Sequence, residues 1–306
     1  MMKVEIENQF KKAQNAYQHG NYQEIIQILN PICEKPVSIQ INSLYVQALL
    51  QEKQYRRAYD EALNYELQYL NNPKLFDIWL TVLLHNELFI PARLSVNNYE
   101  RLYGQSEAKK YLKMVKQEED KAEKEQDNTI QQNFKNLYHI GDQPVWEQQA
   151  TLNNADQLPL NKYLQGAQFI LRDPFVKPII RATILNTLID LKVSQKIRFI
   201  WIDDAEHNVI PNQVDQSLRN KLTKRLQGIL SHRLANDNPI DYQNYLKQLK
   251  IQLLLLTPFE DKVIKDSQVW IDVLLSTSAL ETKGNQIVKE TIDWQQKIQN
   301  SLIESP

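Results

Sequence analysis

The densest group of side chains with acid, base or metal-ligand chemistry is the segment Asp203-Asp204-Ala205-Glu206-His207. It follows an apolar run, residues 196–202, as the loop of an active site follows a strand, and carboxylates and imidazole are ligands that a hydrolytic metal ion uses. A hairpin tip also needs Asp for its turn geometry, and consecutive carboxylates on such a tip diverge. We therefore interpret the segment as a turn and keep a metal-dependent hydrolase as the alternative function.

Other common enzymatic motifs are missing from the sequence. The six glycines lie far apart and form no phosphate-binding loop, and neither G-x-S-x-G nor H-E-x-x-H occurs. The five histidines never stand four residues apart, so no helix presents a two-histidine metal face. Cys33 is the single cysteine and cannot form an internal disulfide. We predict no catalytic residue, no metal site and no cofactor.

Five basic side chains fall on one predicted helix that begins near Val214. Such a stripe could contact nucleic acid or an acidic peptide, although a charged helix face is more often simply solvated. The chain carries 36 basic and 37 acidic side chains, so no global field attracts it to nucleic acid or an anionic membrane. Nucleic-acid binding is the second alternative, through Arg219, Lys221, Lys224, Arg225 and Arg233.

The composition favours long helices with short connections. The chain of 306 residues is 42% hydrophobic but contains only six glycines and twelve prolines, and its length predicts two units at roughly 150 residues per domain. The amino terminus lacks a basic and then apolar signal segment, and the most hydrophobic run, residues 251–256, is too short to span a bilayer. We expect an all-α protein that lies in the cytoplasm and has no membrane partner.

Three copies of a helix-turn-helix pattern occupy the first third of the chain. Each copy places an aromatic residue three positions before a small or branched apolar residue, and the aromatics are 33 and 34 residues apart. The pairs are Tyr22 and Ile25, Tyr55 and Ala58, and Phe89 and Ala92. Apolar residues return behind each aromatic at helical spacing. Because one hairpin cannot bury such a face alone, the copies must stack.

This pattern resembles the tetratricopeptide repeat family over roughly residues 5–103. The third copy matches best, with Trp79 and Leu80 on its first helix. Gly20 keeps the family's turn glycine, whereas Lys53 and Glu87 replace it in the later copies. The resemblance implies an α-solenoid of three helical hairpins in residues 1–115, whose first helices line a concave groove. It also implies a non-enzymatic scaffold or adaptor that binds a protein or peptide partner there.

The resemblance further implies which side chains face the groove. In the first hairpin, Phe10, Ala13 and Tyr17 are aligned with the family's packing positions, with one residue fewer before the turn. The resulting lining is polar and rich in amides, which suits hydrogen bonds to an extended peptide or a partner helix. Its members are Asn8, Lys11, Asn15, Gln18, Gln40, Ser43, Gln47, Lys74, Asp77 and Thr81.

Some members of the family hold a chain's carboxyl terminus with a clamp of five residues. In the register above, Lys11, Asn15 and Lys74 match three of those positions, and Leu44 and Ile78 occupy the other two. The missing amide and arginine remove a donor and the fork that best fits a carboxylate. The incomplete motif weighs against a clamp.

After the repeats, we predict a charged helical linker in residues 116–130 and a helical domain in residues 131–306. Ile197, Phe199 and Trp201 fall on alternate positions, which predicts a β-hairpin near residues 196–211. This half is similar to the matching part of uncharacterised bacterial tetratricopeptide proteins, through Asp173–Pro178 and Leu256–Phe259, and that similarity implies no activity. Helices are expected at about residues 144–157, 160–172, 175–192, 214–235, 239–256, 259–280 and 284–303.

Overall fold

A computed structural model gives the structure of residues 2–125, 127–235, 238–275 and 286–303. Within these ranges the chain forms 17 α-helices and one antiparallel pair of strands, so the predicted all-α class with a small β-hairpin is confirmed. The chain divides into two compact units. Unit 1 contains the chain up to Lys135 together with Gln149–Tyr163, and unit 2 contains Asn136–Gln148 and the chain from Leu164 onward.

Unit 1 is built on three successive helical hairpins. The pairs α1 and α2, α3 and α4, and α6 and α7 form the hairpins, while the short α5 precedes the third hairpin and α8 packs against α7. Two of the first helices begin at side-chain caps, because Ser38 accepts a hydrogen bond from the amide of Ile41 and Asn72 accepts one from the amide of Lys74. The bounds are α1 Met2–Gln18, α2 Tyr22–Cys33, α3 Ile39–Gln51, α4 Tyr55–Leu63, α5 Glu66–Leu70, α6 Pro73–His85, α7 Phe89–Tyr103 and α8 Gln105–Glu125.

The three first helices end in the same way. Gly20, Lys53 and Glu87 each adopt a positive φ, of 71°, 57° and 58°. The amide of the next residue then donates to a carbonyl five positions back, at 2.9, 2.8 and 2.9 Å. This is the Schellman arrangement, in which a left-handed residue ends the helix. The turns therefore repeat structurally even where the glycine is absent from the sequence.

Substituting Lys53→Gly is expected to stabilise unit 1 by about 1 kcal/mol, because a left-handed conformation strains any residue with a Cβ atom. Lys53 is exposed, so the change removes no buried contact. Lys113, which is exposed within α8, gives the matched control. Lys113→Gly should destabilise by about 1 kcal/mol. Urea midpoints measured by circular dichroism should move in opposite directions, and a lower midpoint for Lys53→Gly would contradict the assigned turn.

The small or branched residues of the repeat pattern lie at the centres of the hairpins. Ile25, Ala58 and Ala92 are completely buried. They belong to one apolar cluster that extends from α1 to α8 and includes Trp79. This burial is what the aromatic-plus-small pattern predicts for a face shared between stacked helices.

The charged segment 116–130 is helical, with α8 ending at Glu125 and α9 beginning at Asp127. Its composition indicates a solvated connection, but Glu119, Ala122 and Ile130 are buried. Glu119 accepts two hydrogen bonds from Arg93 and one from the amide of Leu160. A tertiary ion pair therefore holds this part of the segment inside unit 1.

Asp156 gives unit 1 a predicted pH dependence. Burial raises the pKa of its carboxyl to about 6, and its backbone carbonyl accepts from the amide of Ile90 at 3.0 Å. Because this folded-state pKa lies above the unfolded value, the contribution of Asp156 to the free energy of unfolding is most favourable below about pH 4. That contribution is lost as the pH rises through 6. Asp156→Asn removes the charged form and should therefore stabilise the protein at pH 7.5 by about 2 kcal/mol, after allowance for solvent screening.

Urea unfolding at pH 4 and pH 7.5 measures this effect. The gain from Asp156→Asn should be present at the higher pH and absent at the lower pH. Asp60→Asn, at an exposed carboxylate of the same unit, is the control and should change the midpoint little at either pH. An equal gain from Asp156→Asn at both pH values would show that ionisation of Asp156 is not its cause.

Unit 2 consists of helices around a two-stranded hairpin. The strands pair Ile197 with Val209 and Ile200 with Glu206. Pro178 starts its helix in the first turn, where proline is tolerated. The bounds, including three helices where the chain passes between the units, are α9 Asp127–Tyr138, α10 Val145–Ala155, α11 Leu160–Ile170, α12 Pro178–Asp190, β1 Ile197–Ile200, β2 Glu206–Val209, α13 Gln216–Leu234, α14 Pro239–Leu256, α15 Glu260–Val263, α16 Ser267–Leu275 and α17 Gln286–Ile303.

One predicted helix of unit 2 is two helices. The expectation of a single helix over residues 259–280 is wrong, because α15 ends at Val263 and α16 begins at Ser267. Asp266 explains the break, since its carboxylate accepts from the amides of Gln268 and Val269, at 2.7 and 3.2 Å, and so caps a new helix. The predicted boundary between residues 280 and 284 lies outside the described residues.

Candidate partner-binding face

The first helices α1, α3 and α6 are neighbours within unit 1. Each buries an apolar face, and the opposite polar positions carry the predicted groove residues. We call the solvent-facing polar side of α1, α3 and α6 the polar face. Two predicted members, Gln47 and Thr81, are partly buried, and Ser43 is buried. The seven exposed members are Asn8, Lys11, Asn15, Gln18, Gln40, Lys74 and Asp77.

The less exposed members of the polar face already hold hydrogen bonds. The Ser43 hydroxyl donates to the carbonyl of Gln40 at 3.1 Å, so it offers no free donor to a ligand. Gln47 donates to the carbonyl of Ser43 at 3.0 Å and accepts from the hydroxyl of Tyr17 at 3.2 Å. The Tyr17–Gln47 bond joins α1 to α3 across the polar face. Thr81 donates to the carbonyl of Asp77 at 2.7 Å.

The turn hydrogen bonds align the first hairpin with the other two hairpins. This alignment does not need the one-residue offset that the family resemblance introduced. The carbonyls of Ala16, Leu49 and Leu83 accept the equivalent turn hydrogen bonds, and these residues are 33 and 34 positions apart. Ala16 is buried, whereas Tyr17, which the sequence placed at the packing position, is 40% exposed. In this register the equivalents of Gln40, Ser43 and Gln47 are Glu7, Phe10 and Gln14. Asn8, Lys11 and Asn15 follow them by one position.

The clamp positions do not form a full set of donors. Lys11, Asn15 and Lys74 are exposed, but Leu44 is buried and Ile78 carries only an apolar side chain. Burial raises the pKa of Tyr111 on α8, and a side-chain hydrogen bond with the acidic Asp77 raises it further. The polar face is therefore mixed in charge and dominated by amides.

The turn cluster at residues 203–207 has a structural use for its polar groups. Asp203 accepts from the amide of Ala205 at 3.0 Å and contacts the His207 ring at 2.8 Å, while Asp204 has a φ of 64°. Glu206 lies 3.5 Å from Arg198 on the neighbouring strand. Asp203 and His207 contact each other, whereas Glu206 faces Arg198. The described residues contain no group of three or more His, Cys, Asp or Glu that could hold a metal ion.

His207 packs among aromatic rings of unit 2. Its ring centroid is 5.9 Å from Phe199, 5.6 Å from Trp201 and 5.2 Å from Phe259. Trp201 also contacts Trp294, with the centroids 5.3 Å apart. Phe199 of β1 and Trp201, which follows β1, thus attach the hairpin to the helices, and His207 shares this packing.

Two of the five residues of the predicted basic stripe form ion pairs, and the other three are exposed. Arg219 donates to Glu260 at 2.7 Å, and to Asn186 and Thr257 at 3.0 and 2.9 Å, so it points into unit 2. Arg233 pairs with Asp272 at 2.7 Å. Lys221, Lys224 and Arg225 remain exposed on α13. Three neighbouring cations on one helix are an ordinary solvated face.

Comparison with protein-family models, curated proteins and solved structures finds no match. The tetratricopeptide resemblance therefore stays a prediction from the repeated residues. Among the described helices, none is both long and apolar enough to cross a membrane.

Proposed function

We propose that this protein is a non-enzymatic scaffold that binds a peptide or protein partner on the polar face. The supporting observation is a set of exposed amide and lysine side chains that recurs on three neighbouring first helices, whose other sides are used for packing. Amides donate and accept at once, so such a surface suits the backbone of an extended segment or the polar side of a helix. We place this activity in the cytoplasm.

The charge of the polar face favours a partner without a strong net charge. Lys11 and Lys74 are opposed by Asp77, and the remaining exposed members are neutral amides. Interaction should therefore depend weakly on salt, because few counterions are released. The proposal rests on the surface chemistry and not on the fold alone, since one fold serves many functions.

The variant Asn15→Ala/Gln47→Ala/Lys74→Ala is expected to lose partners that cross-link to the wild-type protein in cells. The control Gln23→Ala/Gln27→Ala/Lys113→Ala likewise removes two amides and one lysine, from exposed positions on α2 and α8. It should keep the wild-type partners, and both variants should keep wild-type helicity. Mass spectrometry of the cross-linked material gives the comparison. If the polar-face variant retains every partner that the control retains, the proposed binding surface is wrong.

A second triple variant, Gln14→Ala/Gln47→Ala/Lys74→Ala, tests the register. It keeps Asn15 and instead changes Gln14, the position on α1 that is equivalent to Gln47 and Thr81. A stronger loss of partners with Gln14→Ala supports the register set by the helix ends. A stronger loss with Asn15→Ala supports the register expected from the family resemblance.

A further inference from the structure

Helices α14, α16 and α17 of unit 2 line a cavity of about 390 Å³. This volume falls within the range of roughly 300–1,000 Å³ that is typical of small-molecule sites. The described part of the wall consists of nine residues, of which five are aliphatic and none is ionisable. The other four are the glutamines Gln248, Gln252, Gln295 and Gln299. An aliphatic wall that carries a few amides suits a neutral occupant.

Gln252 is the buried amide of this wall. It is 7% exposed, and its Oε1 accepts a hydrogen bond from Nε1 of Trp270 at 2.9 Å. An indole N–H can only donate, so this contact fixes which end of the amide is the nitrogen. The Nε2 of Gln252 donates to no described residue and is not one of the solvent-shielded unpaired atoms, so it is accessible from the cavity. A buried donor normally has a partner.

Gln295 adds an acceptor of fixed orientation. Its Nε2 donates to the backbone carbonyl of Trp270 at 2.9 Å, and a carbonyl can only accept. The Oε1 of Gln295 accepts no hydrogen bond from a described residue. Trp270, which is completely buried, therefore holds one amide through its ring and the other through its backbone. The result is one oriented donor and one oriented acceptor beside the same cavity.

The two free amide ends and the neutral wall select the chemistry of an occupant. A carboxamide presents a carbonyl oxygen and an N–H group side by side, which complement Nε2 of Gln252 and Oε1 of Gln295. A carboxylate has no hydrogen to donate, and an ammonium group has no lone pair with which to accept. Either ion would also lose hydration without meeting an opposite charge in the described wall.

We infer that this cavity binds a small neutral carboxamide with an aliphatic body. The ligand's carbonyl accepts from Gln252, its N–H donates to Gln295, and its body packs on aliphatic side chains that include Ile298 and Leu302. All the described lining residues belong to unit 2. The inference therefore does not rest on the function proposed for the polar face.

Ligand-detected NMR titration of the full chain with hexanamide tests the site, with methyl pentyl ketone, hexanoate and hexylamine as comparisons. The ketone has the same shape but carries a methyl group in place of the amide nitrogen. Hexanamide should bind about fivefold more tightly than the ketone, through one net hydrogen bond, and at least about tenfold more tightly than either ion. Equal affinity for hexanamide and the ketone, or for hexanamide and hexanoate, overturns the assignment to carboxamides. The absence of saturable hexanamide binding overturns the site.

Two variants separate the polar contacts. Gln295→Met should weaken hexanamide about fivefold and leave the ketone unchanged, because only the amide has an N–H group to donate. Gln252→Met should weaken both ligands about fivefold, because both present the carbonyl that Nε2 serves. Wild-type affinity for hexanamide in the Gln295→Met protein overturns the proposed orientation of the ligand.

The aliphatic contact has its own matched pair of variants. Leu302, which is 44% exposed, lines the cavity, so Leu302→Ala should weaken hexanamide and the ketone alike, by about threefold. Leu218 is 48% exposed and lies outside this wall, so Leu218→Ala should leave both affinities unchanged. If Gln252→Met unfolds because Trp270 loses its acceptor, Gln295→Met and Leu302→Ala decide the matter, and wild-type affinity in both overturns the site.

Discussion

Glu119→Ala is expected to destabilise unit 1 by about 3–5 kcal/mol, the cost of leaving a buried charge without its partner. Arg93 donates Nε to Oε1 of Glu119 at 2.7 Å and Nη2 to Oε2 at 2.6 Å. Both side chains are largely buried, and Oε1 also accepts from the amide of Leu160 at 3.3 Å. One carboxylate therefore connects α7, α8 and the start of α11. Its removal leaves both the Arg93 guanidinium and the Leu160 amide without this hydrogen-bond acceptor.

Hydrogen exchange of peptides from α7 and α8 measures this change. A loss of 3–5 kcal/mol corresponds to exchange that is faster by roughly 150-fold to several thousand-fold. Lys116 and Asp120 form an exposed pair at 2.6 Å on the same helix, so Asp120→Ala is the matched control. That control should cost less than about 1 kcal/mol. Equal protection in the Glu119→Ala and Asp120→Ala proteins would refute a structural role for the buried pair.

The double variant Arg93→Met/Glu119→Leu separates the charge effect from packing. Replacing both members of a buried pair by apolar residues of similar volume is often close to neutral. In the double variant, α7 and α8 should therefore regain most of the protection from hydrogen exchange that Glu119→Ala loses. A double variant as unstable as the single one would assign the loss to packing or to the amide of Leu160.

Local sequence patterns predicted the helical hairpins and the small sheet. The aromatic residues at 33- and 34-residue spacing reflect a face that each hairpin must bury against the next, so the pattern and the packing have one cause. Likewise, Ile197 and Phe199 alternate because one side of β1 packs on helices. The positive φ of Lys53 and Glu87 could not be predicted from the sequence, since neither residue type marks a left-handed position.

Long-range charge pairs could not be predicted from local composition. Arg93 and Glu119 are 26 positions apart, and Arg219 and Glu260 are 41 positions apart. Glu119 and Arg219 lie in stretches whose charges indicate solvent, and only the tertiary contacts show that these two side chains are largely shielded from water. The exposed members of the polar face were easier to select, because exposure follows from helical periodicity.

The register of the polar face shows a smaller error of the same kind. The family resemblance aligned Tyr17 with a packing position, with one residue fewer before the turn at Gly20. On α1, which packs against α2 and α3, Ala16 is buried and Tyr17 donates its hydroxyl to Gln47. A helix at the end of the described stack has one neighbouring hairpin instead of two, so the packing positions of an internal repeat are a weaker guide to burial there.

Trp79→Ala is expected to destabilise unit 1 by about 3–5 kcal/mol, because the lost side chain is large and leaves a cavity. Trp79 is 2% exposed, and its ring stacks on Tyr59 and Tyr69 with centroids 6.3 and 6.2 Å apart. Its Nε1 donates to the hydroxyl of Ser95 at 3.0 Å, which joins α6 to α7. The tryptophan thus contacts the third hairpin's second helix and aromatic residues of α4 and α5.

The loss should extend to the second hairpin. Tyr69 donates its hydroxyl to Asn42 at 2.7 Å, and Asn42 donates to the carbonyl of Glu61 at 3.1 Å. A cavity at Trp79 removes one support of Tyr69 and so loosens a buried polar connection to α3 and α4. Trp79→Phe keeps most of the apolar contact but leaves the buried Ser95 hydroxyl unpaired, at a cost of about 1–3 kcal/mol.

Trp146, which is 75% exposed, provides the control of the same residue type. Trp146→Ala should change stability by less than about 0.5 kcal/mol, as is usual for a solvated position. Urea unfolding followed by circular dichroism should rank the midpoints with Trp146→Ala near wild type, Trp79→Phe lower and Trp79→Ala lowest. Because adjacent hairpins share their interfaces, Trp79→Ala should also speed hydrogen exchange in α3 and α4. Wild-type exchange in α3 and α4, despite a lowered midpoint, would show that the hairpins unfold independently and that Trp79 does not couple them.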